Sequence, residues 1–283
     1  MTELSFDDLS SRLKKRDDKS NKGDFGFLLN IAGCDFYRGA AMLSTLGALR
    51  TGVGIVRLAT TENVIRSVCS LIPEAVFFPT ENKSGVIGDF DICSAAKKAT
   101  AVLCGCGMSE CESTREITKK VLELNLPCVI DADGLNSIKN DPGILGINDN
   151  VIITPHIGEF ARLCNKTTDE ILSDPEKYAA GFSESFGVCV ILKSYHTIIA
   201  NKGEIFVYKN ANSGLSKGGS GDILAGMTAS FLAQNYTLAD SAVCAVILHS
   251  KAALMTAKRK SKASMLPHEI TEDLAQIFRE FEG

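Results

Sequence analysis

The sequence predicts an α/β protein: a mostly parallel central sheet, helices on both of its faces, and one antiparallel hairpin at its edge. Three observations carry this. Apolar runs of strand length alternate with segments of helical period along nearly the whole chain, the pattern of βαβ units. The strand runs, such as Ala101-Val102-Leu103-Cys104 and Val188-Cys189-Val190-Ile191-Leu192, lack polar alternation, which marks strands covered on both sides. Two further runs, Thr197–Asn201 and Glu204–Tyr208, flank Lys202-Gly203, a hairpin turn.

In chain order, Phe6, Leu9 and Leu13 suggest a short first helix, followed by a charged turn. Residues 25–33 read as a buried strand ending in a glycine turn, and Ala40, Ala41, Leu43, Leu46 and Leu49 set a helical period over 39–50. Residues 52–59 make the next strand, with Thr60 and Thr61 placed to cap a helix reaching Val68. Residues 74–78 form a short strand, 81–90 a loop, and 91–98 a helix. The strand 101–104 ends in Gly105-Cys106-Gly107-Met108-Ser109, a glycine loop that opens a helix. Cys128-Val129-Ile130-Asp131 ends in the loop Ala132-Asp133-Gly134, and Val151-Ile152-Ile153 leads into Thr154-Pro155-His156-Ile157-Gly158-Glu159-Phe160 at a helix start. After helices across 157–186 come the strand at 188–193, the hairpin, and helices near 221–235, 238–258 and 267–282, with Lys258-Arg259-Lys260-Ser261-Lys262 as an exposed loop. The polar or glycine-rich loops at 33–39, 105–109, 131–136 and 154–159 all follow strands, so they line the rim where ligands of parallel sheets bind.

The bounds are equally informative. A chain of 283 residues, 45% hydrophobic and without a Pro/Gly/Ser linker, reads as a single domain over 1–283. A net charge of −4 argues against a nucleic-acid partner. No apolar run approaches the ~20 residues of a membrane span, and the polar stretch 1–22 is no signal peptide. The ten cysteines are therefore expected to be free thiols in a reducing cytoplasm. Cys69, Cys93, Cys128, Cys189 and Cys244 sit in apolar runs and read as small buried hydrophobes. Cys104-Gly105-Cys106 with Cys111 hints at a metal, but a second pair at zinc spacing is missing.

The stretch carrying the most chemistry is Lys217-Gly218-Gly219-Ser220-Gly221-Asp222, followed at once by the helical period of Ile223, Leu224, Met227 and Phe231. Free N–H groups at such a helix start suit a phosphate. The positive helix end favours an ionised Asp222, which can accept a proton during phosphoryl transfer. The same stretch also reads as a flexible turn with a capping Asp. It is neither a Walker loop nor GxGxxG.

The order of motifs narrows the choice. Ala32-Gly33 with Gly39-Ala40-Ala41, Asp131-Ala132-Asp133-Gly134-Leu135, Thr154-Pro155-His156-Ile157-Gly158-Glu159-Phe160, Leu192-Lys193 with Thr197, and Gly218-Gly219-Ser220-Gly221-Asp222 follow one another. Over roughly residues 20–282 the chain resembles the ADP/ATP-dependent NAD(P)H-hydrate dehydratases, a branch of the ribokinase-like fold. The resemblance implies a three-layer α/β/α sandwich and a repair reaction: the hydroxyl on a hydrated nicotinamide ring is phosphorylated by ADP or ATP, and loss of phosphate restores NADH or NADPH. It implies Mg²⁺, ADP as donor, a homo-oligomer of tetrameric form, and a separate NAD(P)H-hydrate epimerase, for whose domain a chain of this length leaves no room.

Carried over residue by residue, the resemblance makes Asp222 the catalytic base and a substrate contact. Ala40, Gly107 and His156 become further substrate contacts, and Gly219, Ser220 and Gly221 supply amides to the phosphoryl group. Lys193, Ser194, Tyr195, His196 and Thr197 meet the adenine nucleotide, and Glu159 orders Mg²⁺ through water. Each has a plainer reading from its own position: Ala40 as a helix former, His156 as a cap, Lys193 as a solvent-facing strand end, Glu159 as a first-turn carboxylate, Asp131 and Asp133 as strand-end and turn residues. The chain departs from the family's usual pattern at Gly105-Cys106-Gly107-Met108-Ser109, at Lys193-Ser194-Tyr195-His196 and at Ala211–Lys217, where Lys217 adds charge beside the glycine loop. A small-alcohol kinase, such as one acting on a thiamine precursor, fits the glycine-Asp loop equally well; a non-catalytic nucleotide binder is a third reading.

Overall fold

The computed structural model describes residues 1–209 and 211–282. The chain opens with β1 (Thr2–Glu3), α1 (Asp7–Ser10), β2 (Phe27–Ile31), α2 (Arg38–Arg50), β3 (Ile55–Thr61), α3 (Glu62–Val68) and β4 (Val76–Thr80). A small excursion, β5 (Asn82–Lys83) and β6 (Val86–Ile87), precedes α4 (Ile92–Ala95), β7 (Ala101–Cys104), α5 (Glu112–Glu123), β8 (Cys128–Ile130), α6 (Ala132–Ser137) and β9 (Val151–Ile153). Then come α7 (Ile157–Leu163), α8 (Thr168–Ser173), α9 (Pro175–Phe186), β10 (Cys189–Leu192), β11 (Thr197–Asn201), β12 (Glu204–Tyr208), α10 (Ser220–Ala233), α11 (Leu238–Lys260) and α12 (Pro267–Glu282).

Ten strands make one sheet in the order β1-β12-β11-β10-β9-β8-β7-β2-β3-β4. β11 pairs antiparallel with both neighbours and every other pairing is parallel, so β11 alone runs against the rest. Successive strand residues bury on opposite faces, as the pleat requires. Leu28, Leu58, Leu103 and Ile191 pack on one face with residues of α1–α3 and α10–α12. Leu29, Val102, Ile130 and Val190 pack on the other with residues of α4–α9. This is the expected α/β/α sandwich.

Chain order reverses between β2 and β7: later strands add outward from β7, while β3 and β4 add outward from β2. Such a switch point opens a crevice beyond the strand ends. The loop before α2 and the glycine loop after β7 border it. α2 and α10 cross with almost no space between backbones. A Cβ on Gly226 would lie 2.0 Å from the Ser44 carbonyl oxygen, and one on Gly47 would lie 2.6 Å from that of Ile223. This contact fixes the start of α10 relative to the start of α2.

Several expectations need correction. The hairpin is not the sheet's edge, because Thr2 and Glu3 pair parallel with Phe206 and Val207 outside it; two residues carry no period to read. Residues 81–90 include the β5–β6 hairpin, whose turn puts Ser84 (φ 54°) and Gly85 (φ 92°) in the left-handed region. Ala132–Gly134 begins a helix rather than a loop. The helix expected at 91–98 shrinks to Ile92–Ala95. Lys258–Lys260 form the last turn of α11, where cations offset the negative helix end. Cys69 and Cys93 are exposed, unlike Cys128, Cys189 and Cys244. α11 is long and apolar enough to cross a membrane by length and composition, but 67% of the qualifying window is buried inside the protein.

The α2–α10 crossing yields a test. Gly226→Ala gains helix propensity of about 1 kcal/mol, yet it drives a methyl into the Ser44 carbonyl. The expected outcome is a net loss of about 1–3 kcal/mol, read as a lower urea midpoint with an unchanged slope.

Candidate active site

α10 begins at Ser220, so Ser220, Gly221 and Asp222 are its first turn and Gly219 (φ 99°) is its cap. The Ser220 N–H turns back onto the Lys217 carbonyl at 3.2 Å. Its amide is therefore not free for a ligand, contrary to expectation. The amides of Gly219, Gly221 and Asp222 have no acceptor among the described residues.

Asp222 is half-buried beside two other elements. Cys106 from the loop after β7, Asp131 at the end of β8 and Asp222 each place one polar atom within 4.8 Å of the others. Lys193, at the end of β10, puts its ammonium 3.0 Å from Asp131 Oδ1. A Cβ on Gly221 would lie 3.2 Å from that same Nζ. Burial, and then the Asp131 charge, push the Asp222 carboxyl up to about 7 against the pull of Lys193. Burial works against the Lys193 ammonium, but Asp131 and Glu159 more than offset it, leaving its pKa above the usual value. The Cys106 thiol is held well above its ordinary range by burial and by both carboxylates. The Lys193 ammonium balances the charge of Asp131. Cys104 and Cys111 do not belong to this cluster.

His156 serves as the cap of α7: its Nδ1 accepts from Gly158 N (3.0 Å) and Glu159 N (3.4 Å), while Glu159 Oε2 accepts from His156 N (2.8 Å). Burial, then Lys193 and Arg162, lower its pKa, so the ring is neutral at pH 7 with its proton on Nε2. Glu159 is buried and its carboxyl is raised by burial. His156 also bridges to Lys193 alongside the β9–β10 pairing. The cap and the contact are thus compatible uses of one residue.

A cavity of about 670 Å³ lies beside the cluster, well within the size range of ligand sites. His156, Lys193, Ser194, Tyr195, Thr197, Gly219, Ser220 and Gly221 line it. His196 packs against Tyr195 with ring centroids 4.4 Å apart and the planes tilted by 52°, without lining the cavity. Four lining side chains hold buried polar atoms without partners: Asn212 Nδ2, Ser220 Oγ, His249 Nε2 and Ser250 Oγ. Unpaired buried polar atoms are costly, and their convergence here fits a polar ligand such as a nucleotide. Burial lowers His249 to about 4, so it offers a neutral ring. Lys217 lines the same cavity, but its ammonium is held by the carbonyls of Ala263 and Met265, each at 2.6 Å. Its charge ties down the turn after α11.

Ala40 and Gly107 come together at the switch point: a Cβ on Gly107 would sit 2.5 Å from Ala40 Cβ. Neither they nor Asp222 and Glu159 line the cavity. Asp131, Cys106 and His249 were not foreseen as site residues. Asp131 had a signal, an acid at the carboxyl end of a buried strand; Cys106 was marked only by its glycine loop and a metal hint, and His249 lies buried inside the apolar helix α11, where nothing singles it out.

The family model of NAD(P)H-hydrate dehydratase matches residues 28–276. The chain is 31% identical to the ADP-dependent (S)-NAD(P)H-hydrate dehydratase of Bacillus subtilis, covering 95% of each. It is 30% identical to the bifunctional NAD(P)H-hydrate repair enzyme of Escherichia coli, covering 97% of this chain but only about half (52%) of that one. The B. subtilis ADP/ATP-dependent NAD(P)H-hydrate dehydratase crystallised with ATP/Mg²⁺ superposes with a TM-score of 0.84 over 99% of both chains at 27% identity. A hydroxyethylthiazole kinase of Pyrococcus horikoshii, at TM-score 0.59 and 16% identity over 96% of this chain and 91% of that one, shares the fold alone.

The charge arrangement predicts a titration. Followed by ¹³C NMR, the Asp222 carboxyl is expected to ionise around pH 7. Asp131→Asn removes a charge that raises this pKa and frees the ammonium that lowers it, so the midpoint is expected to move to lower pH.

Proposed function

This chain belongs to the NAD(P)H-hydrate dehydratase family, and from that premise we propose that it returns the S epimers of hydrated NADH and NADPH to the intact dinucleotides with ADP as phosphoryl donor. The observation that carries the reading is a carboxyl of pKa about 7 in the first turn of α10, directly after the glycines that line a large cavity. A base with a pKa near working pH transfers protons most effectively.

Asp222 takes the proton of the ring hydroxyl. The oxygen bonds to the terminal phosphorus of ADP, and AMP departs. The phosphate then leaves with the ring oxygen, and loss of a ring proton re-forms the double bond. The free amides of Gly219, Gly221 and Asp222 offer donors to the charge on the phosphoryl group in flight. We assign Lys193, Ser194, Tyr195, His196 and Thr197 to the adenine nucleotide. Tyr195 presents a ring 68% exposed at the cavity, suited to stacking on a base. Ala40, Gly107 and His156 are assigned to the hydrated dinucleotide; small residues at the first two keep the crevice open.

Mg²⁺ arriving with the nucleotide supplies charge neutralisation on the phosphates and keeps several of its waters. Glu159 is assigned to order one such water. Its Oε2 is already engaged by the His156 amide, which suits an outer-sphere role. We further propose a homotetramer, served by a separate epimerase in a reducing cytoplasm, where ten unpaired cysteines persist.

The test is direct. Incubated with hydrated NADH, ADP and Mg²⁺, the protein is expected to restore the absorbance of NADH. Asp222→Asn is expected to lose about 10²- to 10⁴-fold in kcat. Accumulation of a stable phosphorylated alcohol, without NADH, would instead support a small-alcohol kinase.

A further inference from the structure

The loop between β2 and α2 exposes two adjacent aromatic rings, Phe36 at 70% and Tyr37 at 57%. This loop is not slack. Asp35 donates its N–H to the Gly85 carbonyl at 2.8 Å. Its carboxylate accepts from Thr61 Oγ1 (3.2 Å), Asn63 Nδ2 (2.8 Å) and Asn82 Nδ2 (3.1 Å). Arg38 donates to the Asp35 carbonyl at 3.0 Å and to Ser67 Oγ at 2.9 Å. On the other side Cys34 Sγ and Ser109 Oγ meet at 3.2 Å, tying this loop to the glycine loop after β7. Five elements thus hold two rings in water, although rings of this size contribute to folding only when covered.

Their place says what covers them. They stand at the β2–β7 switch point, where ligands of parallel sheets bind. A Cβ on Gly107 would lie 2.9 Å from Tyr37 Cβ and 3.0 Å from its carbonyl oxygen, beside Ala40. Phe36 leans on the β5–β6 turn, with its Cε2 3.1 Å from where a Cβ on Gly85 would be. The nucleotide cavity lies on the other side of the Asp131–Asp222 cluster, over the ends of β9 to β12 in the sheet order. Two separate aromatic surfaces therefore flank one reacting group.

We propose that Phe36 and Tyr37 form the stacking platform for the far base of the dinucleotide substrate, and that they make the site selective for a dinucleotide over a mononucleotide. The proposal rests on the reading that hydrated NADH reacts at Asp222. A pre-held platform loses little entropy on binding. Base–aromatic stacking removed by alanine substitution costs affinity of order 5- to 150-fold per base.

The experiment compares kcat/KM for hydrated NADH and for hydrated reduced nicotinamide mononucleotide in the wild type, F36A, Y37A, the double variant and Y37F. The wild type is expected to favour the dinucleotide, and the double variant to lose at least about tenfold of that preference through a higher KM for the dinucleotide. Y37F, which keeps the ring, is expected to retain it. An unchanged preference in the double variant overturns the proposal while hydrated NADH turnover leaves the activity intact. A changed sedimentation mass with an unchanged preference overturns it in favour of a contact between copies of this chain. Failure of the wild type to act on hydrated NADH overturns both the activity and this platform.

Discussion

The site depends on three charges gathered where the protein withholds water: the carboxyls of Asp131 and Asp222 and the ammonium of Lys193. The ammonium sits on Asp131 at 3.0 Å, so that pair is balanced and Asp222 is the group left to titrate. Its burial and the adjacent Asp131 charge favour the protonated form; Lys193 and a hydrogen bond from Cys106 favour the ionised form. The balance places the midpoint near neutrality. A carboxyl in open water would be a permanently ionised, weak base.

These groups arrive from different parts of the chain, and the sheet brings them together. Asp131 ends β8, Lys193 ends β10, and Asp222 opens α10 on the face they share. The angle of α10 is set by the glycine-lined crossing with α2, whose own start carries Ala40 to the switch point. One packing contact therefore positions both Asp222 and one wall of the crevice. Glycine is needed at Gly226 and Gly47 because backbone atoms occupy the space a side chain would take.

The sequence revealed most of the layering, because buried strands leave unbroken apolar runs and amphipathic helices leave a period. The strands at 101–104, 197–201 and 204–208 stand where those runs predict. What it hid was short or built on unusual backbone. β1 has two residues and no period. α6 starts at Ala132 with a positive φ, which residue type does not announce. The glycine loop before Asp222 was legible from its composition as a tight turn that opens a helix. That Ser220 would spend its N–H on Lys217, and that the Lys217 ammonium would bind two carbonyls rather than a phosphate, follows only from the folded turn. Asp131 was readable as a strand end, but its partner 62 residues on was not.

The architecture thus places two surfaces on either side of one acid: a cavity with unpaired polar atoms towards β9–β12, and an anchored aromatic loop after β2. Chemistry between them requires the ring oxygen to become a phosphate oxygen before it departs. The measurement that decides this is the fate of ¹⁸O placed in the hydroxyl of hydrated NADH, followed in inorganic phosphate by ³¹P NMR. The account predicts that the label appears in phosphate, one atom for each NADH restored. Label released into water, with phosphate unlabelled, would contradict it.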